Sequence, residues 1–313
     1  MEHPPKSASI SAAPQYTLAD LADAFFAAYS GRDRSLVTRI GHWVAILGNR
    51  PLVDITEDDL ETVLLALAKG QALTYSGGAI RGGNVTTLPR RRSPATVNRY
   101  RAALATLIKW ARSERLIPKR WESPIKFTDR LSESSGRLRY LSKEEYERLR
   151  VAARVSAWPK LWLFITMAVG TGARRGALLG LRWTDIDLDA ARASIERTKN
   201  GTAFTLALTP SVVDELRKFH RPNTDELVFR SKASPDRAHT IVSAYKTACR
   251  IARLENVCIH TLRHSHASWL AQSGASLMQI AESMNHKSLS MVKRYAHLAV
   301  DDRARIINEV FEK

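Results

Sequence analysis

His260-Thr261-Leu262-Arg263-His264 is the stretch from which the rest of the chain can be read. Downstream come Met284-Asn285-His286-Lys287 and Arg294-Tyr295-Ala296-His297, and far upstream sits Thr171-Gly172-Ala173-Arg174-Arg175-Gly176. On a helix, His260 and Arg263 share a face, being three residues apart. Arg174 follows a glycine-containing break at a predicted helix start, where free backbone N–H groups also favour an anion. Tyr295 falls on a short predicted helix capped by Ser288 or Ser290, with Met291, Val292 and Leu298 on its inner face. Lys199-Asn200-Gly201 reads as the turn of a hairpin between the alternating stretches 192–197 and 203–208, which puts Lys199 at a tip.

These residue types suit one chemistry. A phenol titrates near 10 and is a weak nucleophile at neutral pH. Cations around a phosphate favour the phenolate and stabilise a pentacoordinate transition state. Arginine is suited to this because its planar fork bonds phosphate oxygens in pairs. A leaving oxygen needs a proton, which a lysine or a histidine can donate. Enough converging cations make a metal unnecessary, so no metal and no cofactor is expected. Taken singly, each residue has a plain structural explanation: a core tyrosine, a helix-start cation, a turn lysine. The pair His260 and His264, four apart, could hold zinc, but the sequence offers neither an intervening glutamate nor an obvious third ligand. The joint order of the set on a basic chain favours phosphate chemistry.

The formal net charge of +17 over 313 residues points to a polyanionic partner, most simply nucleic acid. A basic membrane-surface protein is the alternative, but no apolar run reaches the ~18 residues of a spanning helix. The N-terminal Met-Glu-His-Pro-Pro-Lys has no apolar signal core, which leaves the cytoplasm as the default. Two cysteines, Cys249 and Cys258, are too few for a disulfide framework.

Along the chain, 1–15 reads as a disordered lead-in. Residues 16–120 read as a small basic helical bundle. Thr17 caps a first helix, a second covers 35–47, Thr56 opens a third with a capping box, and Ser93-Pro94 opens a fourth. An insertion at 70–93, rich in glycine and ending in Arg90-Arg91-Arg92, reads as a long loop or loose hairpin. A linker follows at 121–138, and a second, mostly helical domain with a small sheet fills 139–313.

In the order of its boxes the chain resembles the tyrosine recombinases, the phage-integrase family. Residues 171–187 resemble the first box, so Arg174 takes its arginine role. Thr198-Lys199-Asn200-Gly201 is similar to the family hairpin, which makes Lys199 the general acid. His260 and Arg263 match the second box, His286 the third, and Tyr295 the nucleophile. Residues 17–117, including Ser93 to Tyr100, are similar to the N-terminal core-binding domain. With that domain come Thr96, Asn98 and Arg99 as expected DNA contacts, beside Arg90, Arg91, Arg92 and Arg175. The resemblance implies a mainly α fold: a SAM-like helical bundle, then a mostly helical catalytic domain with a small antiparallel sheet, the two clamping DNA. It implies a 3′-phosphotyrosyl intermediate, no ATP, double-stranded DNA as substrate, and a homo-tetramer on paired sites. It also implies a C-terminal helix exchanged between protomers, an optional accessory directionality protein, and a bacterial or phage-encoded, nucleoid-associated location. No arm-binding domain is expected before Thr17.

Three features depart from the family pattern. The carboxylate usually found three residues after the first arginine is Ala177, and Asp185 or Asp187 is the expected substitute. The glycine before the third-box histidine is Asn285, which tolerates a left-handed backbone. The third departure is the insertion. A type IB topoisomerase shares the chemistry, and a DNA-binding protein with weakened catalysis is the reading that Ala177 favours.

Overall fold

The computed structural model describes residues 16–31, 33–76, 84–133, 138–195, 203–221, 224–232, 234, 236–286, 288–299, 308 and 310–312. The chain divides into two compact units, Met1–Ser135 and Gly136–Lys313. The expected lead-in at 1–15 lies outside the described residues.

The first unit is built on α1 (Leu18–Ala28), α2 (Arg34–Leu47), α3 (Glu57–Lys69) and α4 (Pro94–Ser113). Thr17 and Thr56 each close a capping box, with Asp20 and Asp59, and Ser93 caps α4. The apolar stripes meet in one core, with Leu21, Trp43, Leu60 and Leu107 almost wholly buried. The Trp43 indole N–H donates to the Tyr100 carbonyl at 2.9 Å, which satisfies its polar edge in that core.

One expectation is met and one changes here. Of the two readings of the insertion, the strands support the loose hairpin. The insertion contains a two-stranded antiparallel sheet, β1 (Gln71–Ser76) with β2 (Asn84–Arg91), paired as Leu73 to Thr87 and Tyr75 to Val85. Its threonines, valine and tyrosine carry strand propensity that the flanking glycines obscure. The expected linker also belongs largely to the first unit. Ile125 is buried in that core. Arg101 of α4 donates to the carbonyls of Ile125 at 2.6 Å and Thr128 at 2.9 Å. A segment with no ladder of its own thus has its buried carbonyls satisfied by helix side chains.

In the second unit α5 (Lys143–Arg154) starts at a Ser142 capping box with Glu145. The next helix, α6 (Leu161–Thr171), is apolar all round and buried at every residue except Gly170, so it is the axis of the unit. Short α7 (Arg175–Leu179) leads to a three-stranded antiparallel sheet, β3 (Ile186–Asp187), β4 (Arg192–Ile195) and β5 (Phe204–Ala207), in that order. Helices α8 (Pro210–Phe219), α9 (Val242–Ile251), α10 (Ile259–Gln272) and α11 (Leu277–Ser283) follow, then two 3₁₀ segments, Leu289–Met291 and Lys293–Ala299. Helix α10 packs on α6 and on the last of these segments. Val310 and Phe311 of the tail are exposed. Among the described residues no helix is long and apolar enough to cross a membrane.

Candidate active site

The second unit brings Arg174, His260, Arg263, His286 and Tyr295 together. Helix α6 ends at Gly172, whose φ of 63° is left-handed. Two residues on, Arg174 caps α7 from an exposed position. Its Nη1 donates to the Asn285 carbonyl at 3.5 Å. Asn285 has a φ of 49°, so asparagine fills a turn that favours glycine. From the first half of α10, Arg263 enters the interior and is only 3% exposed. Its Nη1 donates to the Gly172 carbonyl, and its Nη2 to the Met284 carbonyl at 2.7 Å and to His286 Nε2. One guanidinium therefore joins the end of α6, α10 and the turn after α11. Burial, then the nearby Arg174 charge, lower Arg263 to about 10, so it stays charged at neutral pH.

No described carboxylate forms an ion pair with Arg174 or Arg263. The expected substitutes for Ala177 are engaged elsewhere. Asp185 accepts from the Arg182 backbone N–H at 2.7 Å, and Asp187 from that of Ala190 at 2.8 Å and from Arg192. Two close cations without a counterion form a site that an anion would neutralise.

The histidines report the same field. His260 is held below its ordinary value by burial, then by Arg263, Arg174 and Arg294. His286 is pushed to about 4 by burial, then Arg263, Arg174, His260 and Arg294. The Arg174 charge thus acts on three groups from two other segments. With Nε2 accepting from Arg263, neutral His286 carries its proton on Nδ1, a buried atom without a hydrogen-bond partner.

Tyr295 is 1% exposed and packs with Ala267, Ile280, Met284 and Val292. Burial raises its pKa, opposed by Arg294 and Arg263, so the phenol is protonated at neutral pH. Its segment is 3₁₀, not the expected α-helix. Val292, Tyr295 and Leu298, three apart, share the inner face at three residues per turn. Met291, expected there, is 47% exposed because it falls one residue off that repeat.

Two further histidines shape the site: His264, read from sequence only as a possible metal ligand, and His266, which the sequence reading did not single out. The hydroxyl of Tyr295 lies 2.6 Å from His264 Nδ1. The His260 and His264 rings meet edge-on at 4.6 Å, as their i, i+4 spacing allows. His266 donates from Nδ1 to the Val169 carbonyl at 2.8 Å and accepts at Nε2 from Ser283 at 2.7 Å, which joins α6, α10 and α11. Lys199 lies outside the described residues, as does the turn between β4 and β5.

The expected nucleic-acid contacts divide. Arg175 is exposed at the start of α7 and lines a cavity of about 460 Å³ with Phe164, Tyr245, Cys258, His260 and Arg263. In the first unit Arg91 and Arg99 are exposed. Half-buried Arg92 donates to the Leu67 carbonyl at 3.2 Å, and Thr96 lies 3.0 Å from the cap hydroxyl of Ser93. The Arg90 side chain lies outside the described residues. Asn98 has a different job from the one expected. It is 7% exposed, donates to the Leu131 carbonyl at 2.9 Å and to Glu133 at 2.7 Å, and accepts from the Leu131 N–H at 3.0 Å. With both donors and one lone pair engaged, this amide holds the following segment onto α4 and has no N–H left for a base.

The depressed histidines set an acid limit on stability. His264 and His286 titrate at about 4 in the fold against an ordinary 6.5. Between those values the unfolded chain binds protons that the fold does not, so stability is lost as pH falls through that window. Thermal melts should therefore show Tm declining from pH 6.5 to 5, before most carboxylates titrate. A flat Tm over that range would contradict the half-buried, neutral assignment.

Residues 139–301 match the phage integrase family. Over 192 residues the chain is 31% identical to the integrase of Salmonella phage P22, covering 56% of this chain and 48% of that protein. Over 224 residues it is 33% identical to a shufflon-specific DNA recombinase of Escherichia coli, covering 67% of this chain and 53% of that protein. The chain thus spans about half the length of these curated relatives. A lambda integrase dimer bound to a COC′ core site shares the fold, with a TM-score of 0.67 over 94% of this chain and 81% of that one, at 20% identity.

Proposed function

This chain belongs to the phage integrase family, and from that premise we propose that it is a site-specific DNA recombinase acting through a 3′-phosphotyrosyl intermediate. In this reading Arg174 and Arg263 bond the non-bridging oxygens of one phosphate, with His260 and His286 beside them. The Tyr295 oxygen attacks phosphorus while the bond to the 5′-oxygen breaks. Lys199 gives that oxygen its proton. The bond energy is kept in the phosphotyrosyl link, so rejoining needs no ATP. The observation that carries the reading is the convergence of two arginines, with no described carboxylate paired to either, beside His260, His286 and Tyr295.

The substrate is double-stranded DNA, which the +17 charge suits. Exposed Arg91, Arg99 and Arg175 contribute backbone contacts. A homo-tetramer on paired sites is part of the proposal, with the tail that carries exposed Val310 and Phe311 bridging protomers. The test is a pair of assays on DNA that holds the target sequence. Two copies on one plasmid should yield excised or inverted product, and one isolated copy should not support relaxation of supercoils. Relaxation at a single copy without exchange would instead make the enzyme a topoisomerase.

A further inference from the structure

Attack by the Tyr295 oxygen requires its proton to leave, and the protein must supply the acceptor. Arg174 and Arg263 have no lone pair to offer. His286 uses Nε2 to accept from Arg263, and its Nδ1 carries hydrogen. His260 forms no described hydrogen bond to the phenol. Among the described residues, the atom within hydrogen-bonding distance of the hydroxyl is Nδ1 of His264, at 2.6 Å. A protonated phenol beside a neutral imidazole donates its O–H to that lone pair, which already lies along the path a proton would take.

We infer that His264 is the base that takes the Tyr295 proton during strand cleavage and returns it on rejoining, an assignment that rests on the cleavage chemistry proposed above. The O–H bond of Tyr295 breaks, an N–H bond forms at Nδ1, the tyrosyl oxygen bonds to phosphorus, and the bond to the 5′-oxygen breaks. The leaving oxygen takes its proton from a separate donor. On rejoining, the imidazolium gives its proton back as the tyrosyl oxygen departs.

The surroundings keep the base idle without DNA. Burial comes first, and then the charges of His260, Arg294 and Arg263 hold His264 neutral. Of the elements packed on α10, α6 has no ionisable side chain, α11 has only the exposed Glu282, and the 293–299 segment brings Lys293, Arg294 and His297, all exposed. An imidazolium next to Arg263 and Arg294 is therefore unfavourable until a phosphate brings compensating charge. Proton transfer is in this way tied to phosphate entry, and the tyrosine stays protonated in the free protein.

The experiment is single-turnover formation of the covalent adduct on a nicked suicide duplex. The proteins are the full chain, Tyr295→Phe, His264→Asn and His264→Ala, each first checked for an unchanged melt and DNA binding. The Asn carboxamide keeps an oxygen that can hold the hydroxyl but cannot take its proton. Both His264 variants should form adduct about 10²–10⁴-fold more slowly. In His264→Asn the rate should rise tenfold per pH unit, without the levelling expected of the unmodified protein. Added imidazole should partly rescue His264→Ala by filling the vacated space. Adduct formation by His264→Asn within threefold of the unmodified protein, with the same pH profile, would overturn the assignment and leave the cleavage chemistry intact. If the unmodified chain forms no adduct, the cleavage reading itself fails and takes this base with it.

Discussion

Arg263→Ala and Arg174→Ala should each slow strand cleavage by about 10²–10³-fold, the usual loss for one donor to a transition state, but only the first should also weaken the fold. Arg174 is exposed, and its contact to the Asn285 carbonyl is long at 3.5 Å. Truncation there removes a cation from the pocket at a stability change within about 0.5 kcal/mol. Arg263 is buried and feeds the carbonyls of Gly172 and Met284. Its loss strands two buried acceptors, at about 1–3 kcal/mol for each left unsatisfied. Removing a buried, unpaired charge offsets part of that. Melts and single-turnover rates on the two variants separate the effects. Equal destabilisation by both, or a cleavage rate unchanged in Arg174→Ala, would contradict the assignment.

The largest stability effect outside the catalytic set should come from Gly172→Ala. The φ of 63° there imposes a strain of about 1–2 kcal/mol on any residue with a Cβ. The added Cβ would also sit 2.4 Å from Cδ2 of His266. That ring cannot retreat freely, because both its nitrogens are bonded, to Val169 and Ser283. Overpacking of this kind adds about 1–3 kcal/mol, so the total is on the order of 2–5 kcal/mol. Cleavage should fall as well, since the Gly172 carbonyl that holds Arg263 must shift. Gly176→Ala is the control, because a Cβ there meets nothing within 4 Å. A melt of Gly172→Ala indistinguishable from the control would show that the α6–α10 junction is looser than described.

Much of this is legible in the amino-acid sequence. Helix starts at Thr17, Thr56, Ser93 and Ser142 follow from local capping chemistry, which a linear sequence carries in full. The spacing of His260 and Arg263, and the break before Arg174, likewise gave the helix faces on which the pocket is built. What was not legible depends on distance along the chain. Asn98 lies beside the apolar stripe of α4 and reads as a surface amide until Leu131, 33 residues on, is seen to use it. His264 touches Tyr295 across 31 residues, and no periodicity reports such a pairing. Its spacing from His260 was a signal, read there in terms of metal ligands. Met291 was misplaced because α-helical and 3₁₀ repeats diverge by about a residue per two turns, and a seven-residue segment holds too few apolar residues to choose between them.

The claim on which the account rests is that this pocket delivers the Tyr295 oxygen to a phosphorus atom. The direct measurement is to trap the protein on a nicked suicide duplex, digest the adduct, and identify by mass spectrometry the side chain and DNA end that are joined. The account predicts one link, between Tyr295 and a 3′-phosphate, that disappears in Tyr295→Phe. A link through another side chain, a link to a 5′-phosphate, or no link from folded protein that binds the duplex would contradict it.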